Sequence, residues 1–159
     1  MTLSALPAGL TLDLDEPSII IVVGADLRAE TLDRPIASAL LRGVNTLLAK
    51  ESAAAGTGRP TAAAVICTDV WYLNSNHLRL CPTISVGGPE LNALSAYLIG
   101  RLPPVFAVEN RYAVHADPRR EQLAACVWGV DATNTAHAMD TFCSKHLPAF
   151  VQASVRVAH

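Results

Sequence analysis

Thr83-Ile84-Ser85-Val86-Gly87-Gly88-Pro89-Glu90-Leu91-Asn92 reads as a short buried strand that runs through a tight turn into a helix. Two adjacent glycines permit the backbone conformations and close approaches that side chains forbid. Pro89 suits the first helical position, where its missing N–H is no loss. Leu91, Leu94, Leu98 and Leu102 then fall on one helical stripe, until Pro103-Pro104 stops the helix.

Similar units flank this one. Upstream, Ile19-Ile20-Ile21-Val22-Val23 is an unbroken β-branched run, the pattern of a strand covered on both faces. A polar connection after Gly24-Ala25-Asp26 leads to a helix opening near Pro35, with Ile36, Leu40, Val44 and Leu47 on one stripe. This helix is expected to end at the Gly56-Thr57-Gly58 turn. Thr61 to Thr68 reads as a second buried strand, followed directly by Asp69 and a loop carrying Trp71, Tyr72, Asn74, Asn76 and His77. Downstream, Val105 to Val108 and Tyr112 to Ala116 are short strands with no helix between them, and Leu123 to Val130 is the last strand. The closing helix begins after Asp131, carries Ala136, Met139, Phe142 and Leu147, and bends or ends at Pro148.

Strands alternating with helices favour βαβ units with right-handed crossovers. The expected fold is therefore α/β: a three-layer Rossmann-like sandwich with a mainly parallel sheet of about five strands and an antiparallel edge in the 105–130 region. The 159 residues suit a single domain over 1–159, with 1–17 as an extended lead-in and an edge strand at Leu10 to Leu14.

Hydrophobic residues make up 51% of the chain and charged residues 16%, consistent with strands covered on both faces and with a homo-oligomer. Twelve basic against fourteen acidic side chains, net charge −2, leave no basic run, so nucleic acid is not an expected partner. No apolar stretch approaches the roughly 20 residues of a membrane span, and the first residues lack the pattern of a signal peptide. Cys67, Cys81, Cys126 and Cys143 form no CxxC pair, which fits a reducing cytoplasm.

In an open parallel sheet ligands bind beyond the carboxyl ends of the strands. Those ends read Gly24-Ala25-Asp26, Thr68-Asp69, Gly87-Gly88-Pro89-Glu90, Glu109 or Asp117, and Gly129-Val130-Asp131. Asp26, Asp69 and Asp131 would make an acidic edge suited to a hard divalent cation such as Mg²⁺. Alternatively, Asp26 opens a turn, Asp69 anchors its loop and Asp131 caps the last helix. Gly87 and Gly88 could present N–H groups to an anion. Glu90 and the absence of a following Lys or Arg argue instead for a neutral ligand held by Asn92 and the backbone, or for close helix-sheet packing alone.

Trp71 could wall a pocket or fold back as a lid on the core. His115 and Asp117 share a strand face and, with Asp131, could hold a metal or relay a proton. Ser85 sits two residues early for a nucleophile elbow, and Cys143 near His146 reads as packing.

The windows SVGGPELN (Ser85 to Asn92) and VWGVDATNTAHAMDTF (Val127 to Phe142) resemble a Rossmann-like unit of some archaeal surface-layer and related uncharacterised proteins. That unit has a Gly-Gly-Pro-x-x-Asn turn followed by a strand with Gly and a Thr-x-x-Ala helix. The resemblance implies a packing module with no catalytic residue, and carries turn geometry alone onto Gly87, Gly88, Pro89 and Asn92.

Three functions fit these features. One is a non-catalytic or small-ligand-binding oligomeric domain, its polar ligand placed between Asp26, Asp69, Trp71, Gly87, Gly88, Asn92 and Asp131. Another is a metal-assisted hydrolase or transferase using Asp26, Asp69 and Asp131 with His115 or His77 as proton carrier. The last is a structural assembly protein with apolar helices as interfaces.

Overall fold

A computed structural model of the chain describes residues 19–56 and 63–157. The lead-in, the strand at Leu10 to Leu14 and the residues around Gly58 and Thr61 lie outside them. Among the described residues six strands form one sheet: β1 (Ile19–Val23), β2 (Ala64–Thr68), β3 (Thr83–Val86), β4 (Pro104–Val108), β5 (Tyr112–Ala116) and β6 (Ala124–Gly129). Their order is β2-β1-β3-β6-β5-β4. The first four are mutually parallel, β5 runs antiparallel to β6, and β4 antiparallel to β5. The expected α/β fold and antiparallel edge are thus present, with six strands rather than five.

Among the described residues six α-helices flank the sheet: α1 (Leu27–Leu32), α2 (Arg34–Ala54), α3 (Asp69–Leu73), α4 (Ala93–Ile99), α5 (Ala132–Lys145) and α6 (Leu147–Val157). Alternation along the buried strands assigns them to layers. Ile19, Ile21 and Val23 of β1 pack with Leu40 and Val44 of α2, Phe142 of α5 and Val151 of α6. Ile20 and Val22, facing the other way, pack with Tyr72 of α3 and Leu94 and Leu98 of α4.

The structure departs from the sequence-based boundaries at four places. A short helix, α1, occupies the polar connection after Asp26, capped by the Asp26 carboxylate, which accepts the Arg28 N–H at 2.7 Å. The loop around Trp71 is helical as α3, where the Thr68 hydroxyl accepts the Trp71 N–H. Pro89 is not the first helical residue: α4 begins at Ala93, because Asn92 is held extended at φ −136° and its side chain takes the cap. The helix that begins after Asp131 ends at Lys145, just before Pro148 as expected, but Leu147 and Pro148 open a further helix, α6, in whose first turn proline is tolerated.

Candidate functional site

The chain leaves β1 toward the α2 face, β2 and β3 toward the α4 face and β6 toward the α5 face, which is also that of α2. Connections from neighbouring strands therefore diverge at the carboxyl edge on both sides of β1, from β2 and from β3, and again between β3 and β6. Each divergence opens a crevice of the kind that holds ligands in α/β sheets.

The crevice between β1 and β3 is closed by the chain itself. Asn92, 1% exposed, donates through Nδ2 to the Val22 carbonyl of β1 at 3.1 Å and the Val86 carbonyl of β3 at 3.0 Å. Its Oδ1 accepts the Leu94 and Ser95 N–H groups of α4. Beside it, Asp69 Oδ1 accepts the Ala25 and Val70 N–H groups and Oδ2 accepts the Ala93 N–H at 2.8 Å. Gly24 is required because a Cβ there would overlap the Leu91 carbonyl. Asp69 and Asn92 thus bind backbone, and their polar atoms are occupied.

The crevice on the other side of β3 is open. Between the ends of β3 and β6 lies a cavity of about 480 Å³, walled by α1, the Gly88–Leu91 loop, the end of β6 and the start of α5. Asp33, the residue before α2, lies in the wall of this cavity. The side chain is 3% exposed, makes no cap hydrogen bond, and its Oδ2 has no hydrogen-bond partner among the described residues. Burial pushes its pKa from the ordinary 3.8 to about 6, since desolvation disfavours the charged form. The neighbouring guanidinium does not compensate it, because Arg34 Nε bonds Glu30 at 2.8 Å.

Gly87 explains how the carboxyl reaches this place. Its φ of +109° suits glycine, and a Cβ there would run into Asp33 Oδ2. The β3 turn and Asp33 are therefore fitted to each other. On the facing strand, Trp128 also lines the cavity, and its indole Nε1 is buried without a partner.

The sequence-derived site residues divide accordingly. Gly88 and Asp131 line the cavity, and Gly87 sits against Asp33 behind it. Asp26, Asp69 and Asn92 serve caps and backbone, away from its wall. Trp71 is 64% exposed on α3 and is neither lid nor wall of this cavity, whereas Tyr72 next to it is buried. Asp131 caps α5, accepting both the Asn134 N–H and its side-chain amide at 2.8 Å. These bonds hold the exposed Asp131 carboxylate below its ordinary pKa.

The three aspartates do not converge, and among the described residues no group of three or more His, Cys, Asp or Glu side chains is placed to hold a metal ion. The metal-assisted arrangement expected of Asp26, Asp69 and Asp131 is therefore not formed. His115 is remote from it too: it lies opposite Cys126 on β5, and Asp117 follows at the other edge of the sheet because β5 runs antiparallel to β6. The Asp117 carboxylate instead accepts the Arg119, Glu121 and Gln122 N–H groups of its own turn.

Nucleophiles are muted. Ser85 is fully buried and hydrogen-bonded to Ser95 at 2.7 Å. Burial raises the Cys67 thiol to about 11 and the Cys126 thiol to about 12, so both remain protonated at neutral pH.

Fold and cleft together define a three-layer α/β domain with an open crevice at the carboxyl edge of its sheet and a buried acid in it. No family model matches this chain, and no curated protein sequence matches it either.

Proposed function

We propose that the protein is a small-ligand-binding domain whose polar ligand occupies the cleft between β3 and β6, against Asp33. The observation that carries this reading is Asp33, almost wholly buried in the wall of a cavity of about 480 Å³, with its Oδ2, set against Gly87, lacking a hydrogen-bond partner among the described residues. Leaving such a group unsatisfied costs on the order of 1–3 kcal/mol, a cost that a bound donor removes. Wild-type protein equilibrated with a small-molecule cell extract is expected to retain an adduct in native mass spectrometry. A Gly88→Leu variant should lose it, because a Cβ at Gly88 has only an ordinary contact with the Gly129 carbonyl at 3.5 Å and a larger side chain would obstruct the wall. Identical spectra for the two proteins would refute the reading.

Self-association is proposed alongside binding. Val70, Trp71 and Leu73 of α3 are exposed, as are Leu80 and Tyr97, which with Leu73 line one hollow on that face of the sheet. Apolar exposure of this kind suits an interface between copies. Light scattering should then report a mass above 16.8 kDa. A cytoplasmic location is supported by Cys67, Cys126 and Cys143, whose thiols are free. No helix among the described residues is long and apolar enough to cross a membrane.

A further inference from the structure

The Asp33 cleft has a charge pattern that narrows its ligand. Its wall includes Asp33, 3% exposed, with no basic side chain paired to its carboxyl among the described residues. A buried charge needs a counter-charge or a donor, and the described residues supply neither. The wall also includes the start of α5, a helix of 14 residues. The Asp131 carboxylate takes the N–H of Asn134 and the Asp131 carbonyl takes that of Thr135. The N–H groups of Ala132 and Thr133, both in the cavity wall, have no protein partner among the described residues.

A helix N-terminus with free N–H groups favours an anion, and exposed Arg28 stands in the same wall. Glu90 and Asp131 also border the cleft, which disfavours a multiply charged phosphate and leaves room for a single carboxylate. Leu32, Leu91 and Val130 supply apolar wall.

Resting on the reading that the cleft is a small-molecule site, we infer that its ligand is an amino-acid-like zwitterion. Its protonated nitrogen meets Asp33, its carboxylate meets Arg28 and the first N–H groups of α5, and an aliphatic spacer lies between.

Three probes of one chain length separate the parts of this inference: 5-aminovalerate, pentylamine and pentanoate, titrated calorimetrically into the full chain at neutral pH. The expected order places 5-aminovalerate at least tenfold tighter than either singly charged probe. Asp33→Asn should weaken 5-aminovalerate and pentylamine at least tenfold and leave pentanoate within twofold. Arg28→Ala should weaken 5-aminovalerate and pentanoate and spare pentylamine. Circular dichroism checks that both variants keep the wild-type fold. In carbon-detected NMR the Asp33 carboxyl should titrate at lower pH with 5-aminovalerate bound and be unmoved by pentanoate.

Pentanoate binding as tightly as 5-aminovalerate, or amine affinity unchanged in Asp33→Asn, overturns the charge assignment. If no probe binds but the wild-type extract adduct persists and is lost in Gly88→Leu, the zwitterion assignment fails while the binding reading stands. If the adduct is also absent, the binding reading itself fails.

Discussion

Between β1 and β3 the chain acts as its own ligand, with Asn92 bonded to Val22 and Val86 and Asp69 bonded to Ala25 and Ala93. One strand over, between β3 and β6, the crevice is unfilled, and Asp33 lies in its wall with Oδ2 unpartnered among the described residues. Both crevices arise from the same topology, and both are bordered by a loop that starts at Gly87. They differ in whether the polar groups at the strand ends are satisfied from within. Topology therefore states where a ligand can sit, and hydrogen-bond satisfaction states where the fold leaves a place for one.

The largest expected effect comes from breaking the closed crevice. Asn92→Ala would remove a hydrogen bond from each of two strand carbonyls and two helix N–H groups, and should destabilise the protein by about 4 kcal/mol in chemical denaturation. An effect below about 1 kcal/mol would mean that water replaces the side chain and that this crevice is not closed.

Asp33 should respond in the opposite direction. Its folded pKa lies above its unfolded one, so the folded state holds the proton more tightly. This acid's contribution to stability falls as pH rises from about 4 to 6, and the penalty is complete above that window. A shift of about two units corresponds to about 3 kcal/mol. Asp33→Asn is accordingly expected to raise the stability of the ligand-free protein at pH 7 by up to that amount and to flatten the pH 4–6 dependence, measured by denaturation across pH. Destabilisation at pH 7 would show that the carboxylate has an unrecognised partner.

The smallest effect falls on a residue outside both crevices. Trp71→Ser removes an exposed side chain, so monomer stability should change by no more than about 0.5 kcal/mol. Any substantial change should be in the light-scattering mass, through the exposed α3 face.

The strands were legible in the sequence because β-branched runs such as Ile19 to Val23 have no other stable environment than a sheet covered on both faces. The caps were legible too: Asp26 and Asp131 do what an Asp ahead of a helix does. The start of α4 was misplaced because Pro89 is a good first helical residue by local preference, while the competing signal, the side chain of Asn92, acts through β1 and β3 seventy and six residues away. Trp71 was overread because the burial of neighbours on a one-turn helix depends on which face meets the sheet, and here Tyr72 does.

Asp33 was the residue that sequence reading missed. In Leu32-Asp33-Arg34-Pro35 it looks like an ordinary helix cap, and it does occupy the cap position, yet its side chain makes no cap bond. The only linear trace of its role is on another element, a glycine at 87 where a side chain would collide with it.

The contacts that lock Asn92 and Asp69 to β1 also bear on the timing of folding. They join residues 70 and 44 positions apart, and contacts of such separation form after local helices and neighbouring strands have gathered. Loss of Asn92 should then leave the refolding rate nearly unchanged and accelerate unfolding. The side chain that seals the sheet edge would in that case set the lifetime of the native state rather than the speed of reaching it.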